Sequence, residues 1–400
     1  MVRNSGAQVM VVLDFFEGPF WMFEKFGVCL YRTSSKERLS LKEAISFAIS
    51  MVQIGAYSIL VPLFFIKTTP PTTAEFSDAC IPLILFFTSI VRLTSILVNP
   101  KRIRTLVDIF QKYFPQNMEE QKNFKVERNY KELIRVTKAL AICLSLGCVL
   151  FSLAPLFNFA MAYYTIDDEA KFDYRMPYPI WYPFKVNTPG MYAIMCSTQA
   201  FAAFSCVCAY FLPNMVLITS MLLINMNFKY LAKTVRNLTP TNTDDDMKNL
   251  SKILSHHQDI FLLVDVTNEI FNISVFISFF SSIALLCSIG MNVLGESQPY
   301  HIIKQSLLLV SSLCDLYYTC KYADDMKTSS LDMSDALAEH PWYDGSVYYQ
   351  RMLLFPMARA QRPAQLMAYK FFAVSMESFQ SVLTNSYQLL TLVKARFDVE

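Results

Sequence analysis

Apolar residues in this chain are gathered into seven runs, each long enough to form a helix that crosses a lipid bilayer. The runs cover residues 44–66, 79–98, 139–163, 191–228, 271–294, 302–320 and 370–393. The fourth run has no charged residue over its 38 positions, more than a bilayer requires, so we expect it to continue as a helix into water towards Leu238. The pattern predicts an all-α protein with seven transmembrane helices.

The segments between the runs are polar and differ in character. Residues 1–40 carry short apolar runs broken by acidic residues, which is typical of an amphipathic segment at a membrane surface rather than of a secretory signal peptide. Residues 99–138 are charged with helical periodicity, and residues 321–361 are expected to form a soluble linker. Four prolines exclude regular structure from the loop at residues 164–190, whose aromatic residues lie either at the membrane interface or over the helix tops.

The last run differs from the others because one side of it is polar. At helical spacing Ser381, Asn385 and Gln388 share a face with Ser378, and Leu392 and Ala395 continue it. Unpaired polar groups in hydrocarbon are costly, so this face must be hidden from lipid. It either packs against other helices or lines a water-filled path.

Three ionisable residues lie near the ends of these runs. Arg92 is close enough to the end of the second run for its side chain to reach the interface. Asp315 is expected to form a structural charge pair, whereas Glu377 could weakly attract cations.

The distribution of basic residues predicts the orientation of the chain. The segments before the first run and after the second, fourth and sixth hold 27 Lys and Arg, against seven on the other side. Cytoplasmic loops carry the excess of basic residues, so the N-terminus is expected in the cytoplasm and the C-terminus outside the cell. A G-protein-coupled receptor has the opposite topology, and its characteristic motifs are missing from this sequence.

Composition narrows the functional classes further. The chain is 54% apolar, with 33 Phe and only 9 Gly, and its ten cysteines are scattered. We see no phosphate-binding loop, catalytic triad or paired-carboxylate site, so we expect no enzymatic activity, no cofactor and no bound metal. Nothing indicates nucleic-acid binding; the expected surroundings are membrane lipid.

Several motifs resemble those of the insect odorant receptor family. They are His256-His257 before the fifth run, the segment 329–343 ending in HPWY, the segment 358–363 (ARAQRP), and the last helix with Phe379 and Ser386-Tyr387. The short turn at residues 239–246 is similar to the odorant-tuning subunits and lacks the long insertion of the family's co-receptor. The histidines are expected to pack or hydrogen-bond rather than to bind metal.

The resemblance implies a tetrameric, ligand-gated, non-selective cation channel in the plasma membrane of olfactory sensory neurons. It implies a heterotetramer with the co-receptor and a small volatile organic ligand. The four final helices would line the pore, with a hydrophobic gate at Leu392. Ala395 stands where the co-receptor has glutamine, and Lys394 and Arg396 crowd the outer mouth, so a homotetramer should conduct poorly.

The resemblance also implies a ligand pocket in the outer half of the membrane, between the second, third, fourth and sixth spans. The residues expected to line it are Phe86, Phe87, Ile90, Phe151, Leu156, Phe159, Tyr192, Met195, Gln199, Gln305, Leu309 and Ser312. Each of them could instead face lipid or a neighbouring helix.

The chain is thus divided into a cytoplasmic N-terminal segment (1–40), six transmembrane helices with the pocket (41–320), a cytoplasmic anchor segment (321–369), and a pore-lining seventh helix with an extracellular C-terminus (370–400). The main alternative is a gustatory receptor of the same superfamily, for which a more polar pocket is expected; a G-protein-coupled receptor is the other.

Overall fold

The computed structural model is built almost entirely of helices, in the order that the apolar runs predict. It describes residues 9–28, 30–31, 41–67, 73–165, 176, 178, 180–184, 186, 188–241, 244–295 and 299–397. The helices in this part of the chain are α1 (Val12–Lys25), α2 (Leu41–Lys67), α3 (Thr73–Leu97), α4 (Pro100–Tyr113), α5 (Met118–Asn123), α6 (Val126–Thr165), α7 (Pro189–Arg236), α8 (Asp244–Gly295), α9 (Pro299–Glu339), α10 (Val347–Ala360) and α11 (Met376–Phe397).

The seven runs correspond to α2, α3, α6, α7, α8, α9 and α11. Within the described residues, α2, α3, α6, α7 and α8 each contain a stretch long and apolar enough to cross a membrane. The polar face of α11 keeps it below that hydropathy. With 48 residues, α7 is on the order of 70 Å long, so it extends well beyond a bilayer. The chain is a multi-pass membrane protein.

The bundle is organised around α7, which packs against α3, α6, α8 and α9. From Cys208 to Phe228 every residue of α7 is buried. A helix that is apolar on all sides is surrounded either by lipid or by other helices, and burial inside the protein shows that here it is other helices. The remaining helices therefore enclose the inner half of α7.

The N-terminal segment forms α1, whose apolar side packs against protein. Phe15 and Phe16 are almost fully buried, with Phe15 against Tyr130 of α6 and Phe16 against Phe110 of α4. The exposed side carries Trp21. The amphipathic pattern predicted the helix correctly, but its apolar face is covered by α4, α6 and α7 rather than by lipid alone.

Most of the segment at residues 321–361, which was expected to be a soluble linker, is helical. Helix α9 continues without a break to Glu339, followed by a 3-10 turn (Trp342–Asp344) and α10. Tyr322, Met326 and Met333 lie on one side of the α9 extension and are buried. Polar residues on the other side lower the mean hydropathy of this segment, so the hydropathy pattern alone did not predict the helix.

The seventh helix begins at Met376 rather than at Lys370. Before it, β1 (Met367–Ala368) pairs antiparallel with β2 (Phe372–Ala373), joined by a turn with positive φ at Tyr369 and Lys370. The Asn268 side chain on α8 holds this hairpin, accepting from the Met367 N–H at 2.8 Å and donating to the Gln365 carbonyl at 2.9 Å. These two bonds satisfy backbone N–H and carbonyl groups of the extended segment that precedes α11.

Candidate functional site: an apolar cavity above a buried ion pair

A cavity of about 70 Å³ lies among α3, α6, α7 and α9. One water molecule needs at least about 10–15 Å³, so the cavity is large enough to hold more than one. Its wall is formed by Ile81, Pro82, Leu85, Phe86, Ser89, Leu144, Gly147, Cys148, Tyr178, Ala203, Cys206, Val207, Tyr210, Leu308, Ser311 and Ser312. Such a wall suits a small neutral ligand held mainly by burial of apolar surface.

The hydroxyl groups of the wall differ in what they can offer a ligand. Ser89 donates to the carbonyl of Leu85 at 2.8 Å, and Ser311 donates to that of Leu308 at 2.8 Å. Among the described residues, no group forms a hydrogen bond with the hydroxyl of Ser312, which is buried and lines the cavity. Ser312 can therefore donate to or accept from a polar atom of a ligand at little cost.

Gly147 determines how much space the cavity has on its α6 side. Gly147 is buried and lines the cavity, yet a Cβ built on it would have no atom within 4 Å. A larger residue here would project into the cavity without striking the wall.

The loop before α7 closes the cavity and is fastened to α7 by Gln199. The Gln199 side chain is fully buried; it accepts from the Tyr178 N–H at 3.1 Å and donates to the Tyr182 hydroxyl at 3.1 Å. Burial raises the pKa of Tyr182 above its usual value, so this phenol stays protonated at physiological pH. Gln199 thus fixes Tyr178 and Tyr182 of the aromatic loop against α7.

A buried ion pair lies next to the cavity, on the inner side of Tyr210. Arg92 of α3 lies 2.7 Å from the Asp315 carboxylate of α9, and both side chains are almost fully buried. Arg92 also donates to Ser278 of α8 and to the Tyr210 carbonyl, and its guanidinium lies over the Tyr210 ring at 3.8 Å. The expectation that Arg92 reaches the interface is wrong, whereas Asp315 forms a structural charge pair as predicted.

Two further donors complete the coordination of the Asp315 carboxylate. The Tyr210 hydroxyl donates at 3.0 Å and the Asn214 amide at 2.6 Å. A buried charge is tolerated only when paired and hydrogen-bonded, and removal of one partner costs about 3–5 kcal/mol. This cluster, which we call the ion-pair network (Arg92, Tyr210, Asn214, Ser278 and Asp315), joins α3, α7, α8 and α9.

The structure places only two of the predicted ligand residues in the cavity wall, Phe86 and Ser312. Phe87 is 53% exposed, Ile90 and Met195 are partly buried elsewhere, and Leu309 packs against Ile81, Leu285 and Ile289. Tyr192, Gln199 and Gln305 are buried outside the wall. The side chains of Phe151, Leu156 and Phe159 lie outside those that the structure describes.

The cavity lies between the four helices that the prediction named, and its wall on α6 and α7 uses residues other than the predicted ones, which stay a prediction. The wall uses Leu144, Gly147 and Cys148 on α6, and Ala203, Cys206, Val207 and Tyr210 on α7. These positions are spaced by three or four residues, so each set forms one helix face. That spacing was visible in the sequence, but it is shared by any packed face.

The predicted pore residues lie on the outward side of α11. This helix packs against α8 and α9 through Val382 and Ser386, which are buried. Ser381, Asn385, Gln388 and Ala395 are exposed, and Leu392 is 67% exposed. Ser378 instead bonds to the carbonyl of Ala373 at the start of the helix. Within this single chain, the polar face is not sealed by other helices.

The two adjacent histidines lie in the part of α8 that precedes the membrane-spanning run. His256 bonds to Asn227 at 3.0 Å and stacks on Tyr113, and His257 packs edge-on against Phe261. Burial lowers the pKa of each histidine to about 4. Both are therefore neutral at cytosolic pH and contribute to packing, as expected. Within the described residues, no group of three or more metal-ligating side chains occurs.

Comparisons with known proteins agree on one family. A family model described as 7tm odorant receptor matches residues 72–387. Odorant receptor 85c of Drosophila melanogaster is 24% identical over 293 residues, which cover 73% of this chain and 75% of the relative. Odorant receptor 67a of the same species is 22% identical over 397 residues, covering 96% of each chain.

The fold is also similar to that of a solved structure. The insect olfactory receptor OR5 from Machilis hrabei, solved in complex with eugenol, superposes with a TM-score of 0.81 at 15% identity, covering 96% of this chain and 98% of that one. A second structure of the same receptor superposes with a TM-score of 0.80. At this identity the likeness establishes the fold.

Proposed function

The chain belongs to the 7tm odorant receptor family, and on that premise we propose that it is the odorant-binding tuning subunit of a ligand-gated, non-selective cation channel. The proposal is that it works with a co-receptor in the plasma membrane of olfactory sensory neurons. The observation that carries the proposal is the apolar cavity between α3, α6, α7 and α9, with the hydroxyl of Ser312 in its wall, for which the described part of the chain offers no hydrogen-bond partner.

The cavity supports a volatile ligand better than a charged or strongly polar one. None of the described residues that line it is charged, and its described polar groups are hydroxyls and thiols. Burial of apolar ligand surface yields about 25 cal/mol per Å², so a small hydrocarbon skeleton supplies most of the affinity. Phe86 supplies an aromatic surface, and Ser312 orients one oxygen of the ligand.

Assembly with other subunits is supported by apolar residues on the 3-10 turn and α10. These are Tyr343, Val347, Tyr348, Leu354 and Phe355, which are between 64% and 87% exposed. This segment lies outside the apolar runs, so in a single chain these residues would face water. Apolar surface of this kind marks protein interfaces. We assign it to the contact with the neighbouring subunits of a tetramer, which makes residues 321–369 the anchor segment.

The exposed face of α11 would then meet the same helix of the other subunits around a central pore. Asn385 and Gln388 supply polar groups along the path, and Leu392 forms a hydrophobic constriction that stops ions by excluding water. Ligand binding biases the bundle towards a packing in which Leu392 leaves the axis. The small Ala395 near the basic Lys394 and Arg396 suits a subunit that conducts with a partner rather than alone.

The proposal is tested by recording currents from cells that express the chain with and without an insect co-receptor. A panel of neutral volatile alcohols, esters, ketones and phenols, with eugenol included, serves as the probe. Cation currents evoked by at least one panel member, present with the co-receptor and weak without it, are expected. Ser312→Ala should weaken responses to ligands that carry an oxygen and spare hydrocarbon ligands. Silence across the panel, with both subunits at the cell surface, would overturn the assignment.

A further inference from the structure

Tyr210 is the residue that belongs both to the cavity wall and to the ion-pair network. Its ring lines the cavity on one side and lies under the Arg92 guanidinium at 3.8 Å. Its hydroxyl donates to Asp315 at 3.0 Å, and its carbonyl accepts from Arg92 at 3.1 Å. Movement of this one side chain therefore changes the cavity and the ion pair together.

The size of the cavity determines which way a bound ligand moves the Tyr210 side chain. The empty cavity measures about 70 Å³, and a ligand with a larger skeleton does not fit that space as it stands. Such a ligand must push the wall outwards, and the Tyr210 ring is part of that wall. Displacement of the ring lengthens its hydroxyl bond to Asp315 and removes the aromatic face from Arg92.

The backbone of α7 beside Tyr210 is weakened at the same point. Pro213 lies inside the helix and has no N–H to donate to the carbonyl of Ala209. Helices bend most readily at such positions. The network therefore lies where α7 can change its shape at the lowest cost.

Two other members of the network, Ser278 and Asp315, lie one or two residues from contacts with the pore helix and its hairpin. On α8, Phe279 follows Ser278 and packs edge-on against Phe372 of β2 at 5.1 Å. On α9, Tyr317 lies two residues beyond Asp315 and packs against Phe379 of α11 at 5.8 Å. A shift of α8 or α9 at the network is transmitted to the start of α11 by direct contact.

We propose that Tyr210 is a positioning residue through which an occupied cavity loosens the ion pair between Arg92 and Asp315, and that the intact pair holds the packing of α3, α7, α8 and α9 in which the pore is closed. This inference rests on the proposed function. It assigns to Tyr210 an effect on channel opening that is separate from any effect on which ligand binds.

The test compares Tyr210→Phe with the matched variant Tyr322→Phe, each expressed with the co-receptor. Tyr322 is also buried and donates its hydroxyl to a carboxylate, that of Glu132 at 3.1 Å, but it lies outside both the cavity and the network. Each substitution removes one hydroxyl and keeps the ring. Basal current, surface expression and the half-maximal concentration of every active panel ligand are measured.

For Tyr210→Phe, we expect a higher basal current and half-maximal concentrations lowered by roughly two- to tenfold for all ligands, the size of one lost hydrogen bond. The order of ligand potency should stay the same, and Tyr322→Phe should leave both quantities unchanged. An altered order of ligands without a change in basal current would reduce Tyr210 to a ligand contact. Lower surface expression with unchanged gating would reduce it to a packing residue. Either result overturns the proposal.

A double-mutant cycle tests whether the effect passes through the ion pair. Asp315→Asn keeps the shape of the carboxylate and removes its charge, so addition of Tyr210→Phe to it should have little further effect. If Asp315→Asn fails to reach the surface, Ser278→Ala, which removes one partner of Arg92, takes its place. Fully additive effects on basal current would contradict the proposal. Failure of the proposed function itself is distinguishable, because the unmodified chain would then give no ligand-evoked current.

Discussion

The two halves of α7 face different surroundings although both are apolar. In the outer half Ile194 and Phe204 are 61% and 59% exposed, while Ala203 and Cys206 face the cavity. In the inner half every residue from Cys208 to Phe228 is buried against other helices. The outer half can absorb a change in volume because one side is open. Beyond Pro213 the inner half has no such open side, and it keeps the helices that surround it in register.

The largest effect should come from the loss of a large side chain in the inner half. Phe228 is fully buried and packs edge-on against Phe261, so Phe228→Ala should cost about 3–5 kcal/mol through lost burial and an internal cavity. Phe204→Ala, in the exposed part of the outer half, is the matched control and should cost little. Surface expression and thermal aggregation of detergent-solubilised protein measure both. Equal losses would remove the distinction between the two halves.

Acidification should weaken the inner half next. His256 and His257 have pKa values lowered from 6.5 to about 4 by burial, so between these limits the unfolded chain binds more protons than the folded one. Stability is therefore full above pH 6.5 and falls as the pH drops towards 4, by about 1.4 kcal/mol for each histidine at one pH unit below 6.5. Asp259, Lys112 and Arg359 are the charged groups facing them.

This pH dependence can be followed by thermal unfolding of the solubilised protein between pH 7.5 and 5, with the pH values chosen to bracket the ordinary histidine pKa of about 6.5. The double variant His256→Gln/His257→Gln lacks both titrating groups and should show a flatter profile. A profile as steep as that of the unmodified chain would place the acid sensitivity elsewhere.

A change in the volume of the cavity should alter ligand choice while leaving the fold intact. Gly147→Leu places a side chain in open space within the cavity, so responses to the larger panel ligands should weaken by roughly tenfold or more, corresponding to about 1–3 kcal/mol of overpacking. Small ligands should be affected less. The control is Gly55→Leu on α2. A Cβ at Gly55 also meets no atom within 4 Å, but Gly55 does not line the cavity. A uniform loss across ligand sizes would count against the cavity as the binding site.

The smallest effect should come from the contact between α8 and α11. A Cβ on Gly290 would lie 2.8 Å from Cδ2 of Leu390, so Gly290→Ala should push α11 slightly outwards at a cost of roughly 1 kcal/mol and change the basal current modestly. Leu390→Ala in the same chain makes room and should restore the original current. A lack of rescue would show that the contact between these two residues is not the cause.

Much of the helical architecture could be predicted because a membrane leaves the backbone few choices. Residues 191–228 must form a helix in lipid, and the structure places them in α7. The sequence could not show which sides of that helix face protein, since lipid tails are as apolar as leucine. For this reason the cavity was placed near Tyr192 and Met195, although its wall extends inwards to Tyr210.

The remaining errors come from partners distant in the sequence. Arg92 was expected to reach the interface because nothing near it in the chain marks Asp315, 223 positions away, as its partner. Likewise the hairpin before α11 depends on Asn268, 99 positions before Met367. Both are polar contacts between segments far apart in the sequence, and periodicity does not encode them.

The central claim is that the polar outward face of α11 lines a water-filled path, and cysteine accessibility tests it most directly. Asn385→Cys and Gln388→Cys, expressed with the co-receptor, should lose ligand-evoked current when a charged, water-soluble thiol reagent is applied. Val382→Cys, on the buried side of α11, and the unmodified chain should keep theirs. Current that survives the reagent at both Asn385→Cys and Gln388→Cys, with modification of the thiols verified, would contradict the account.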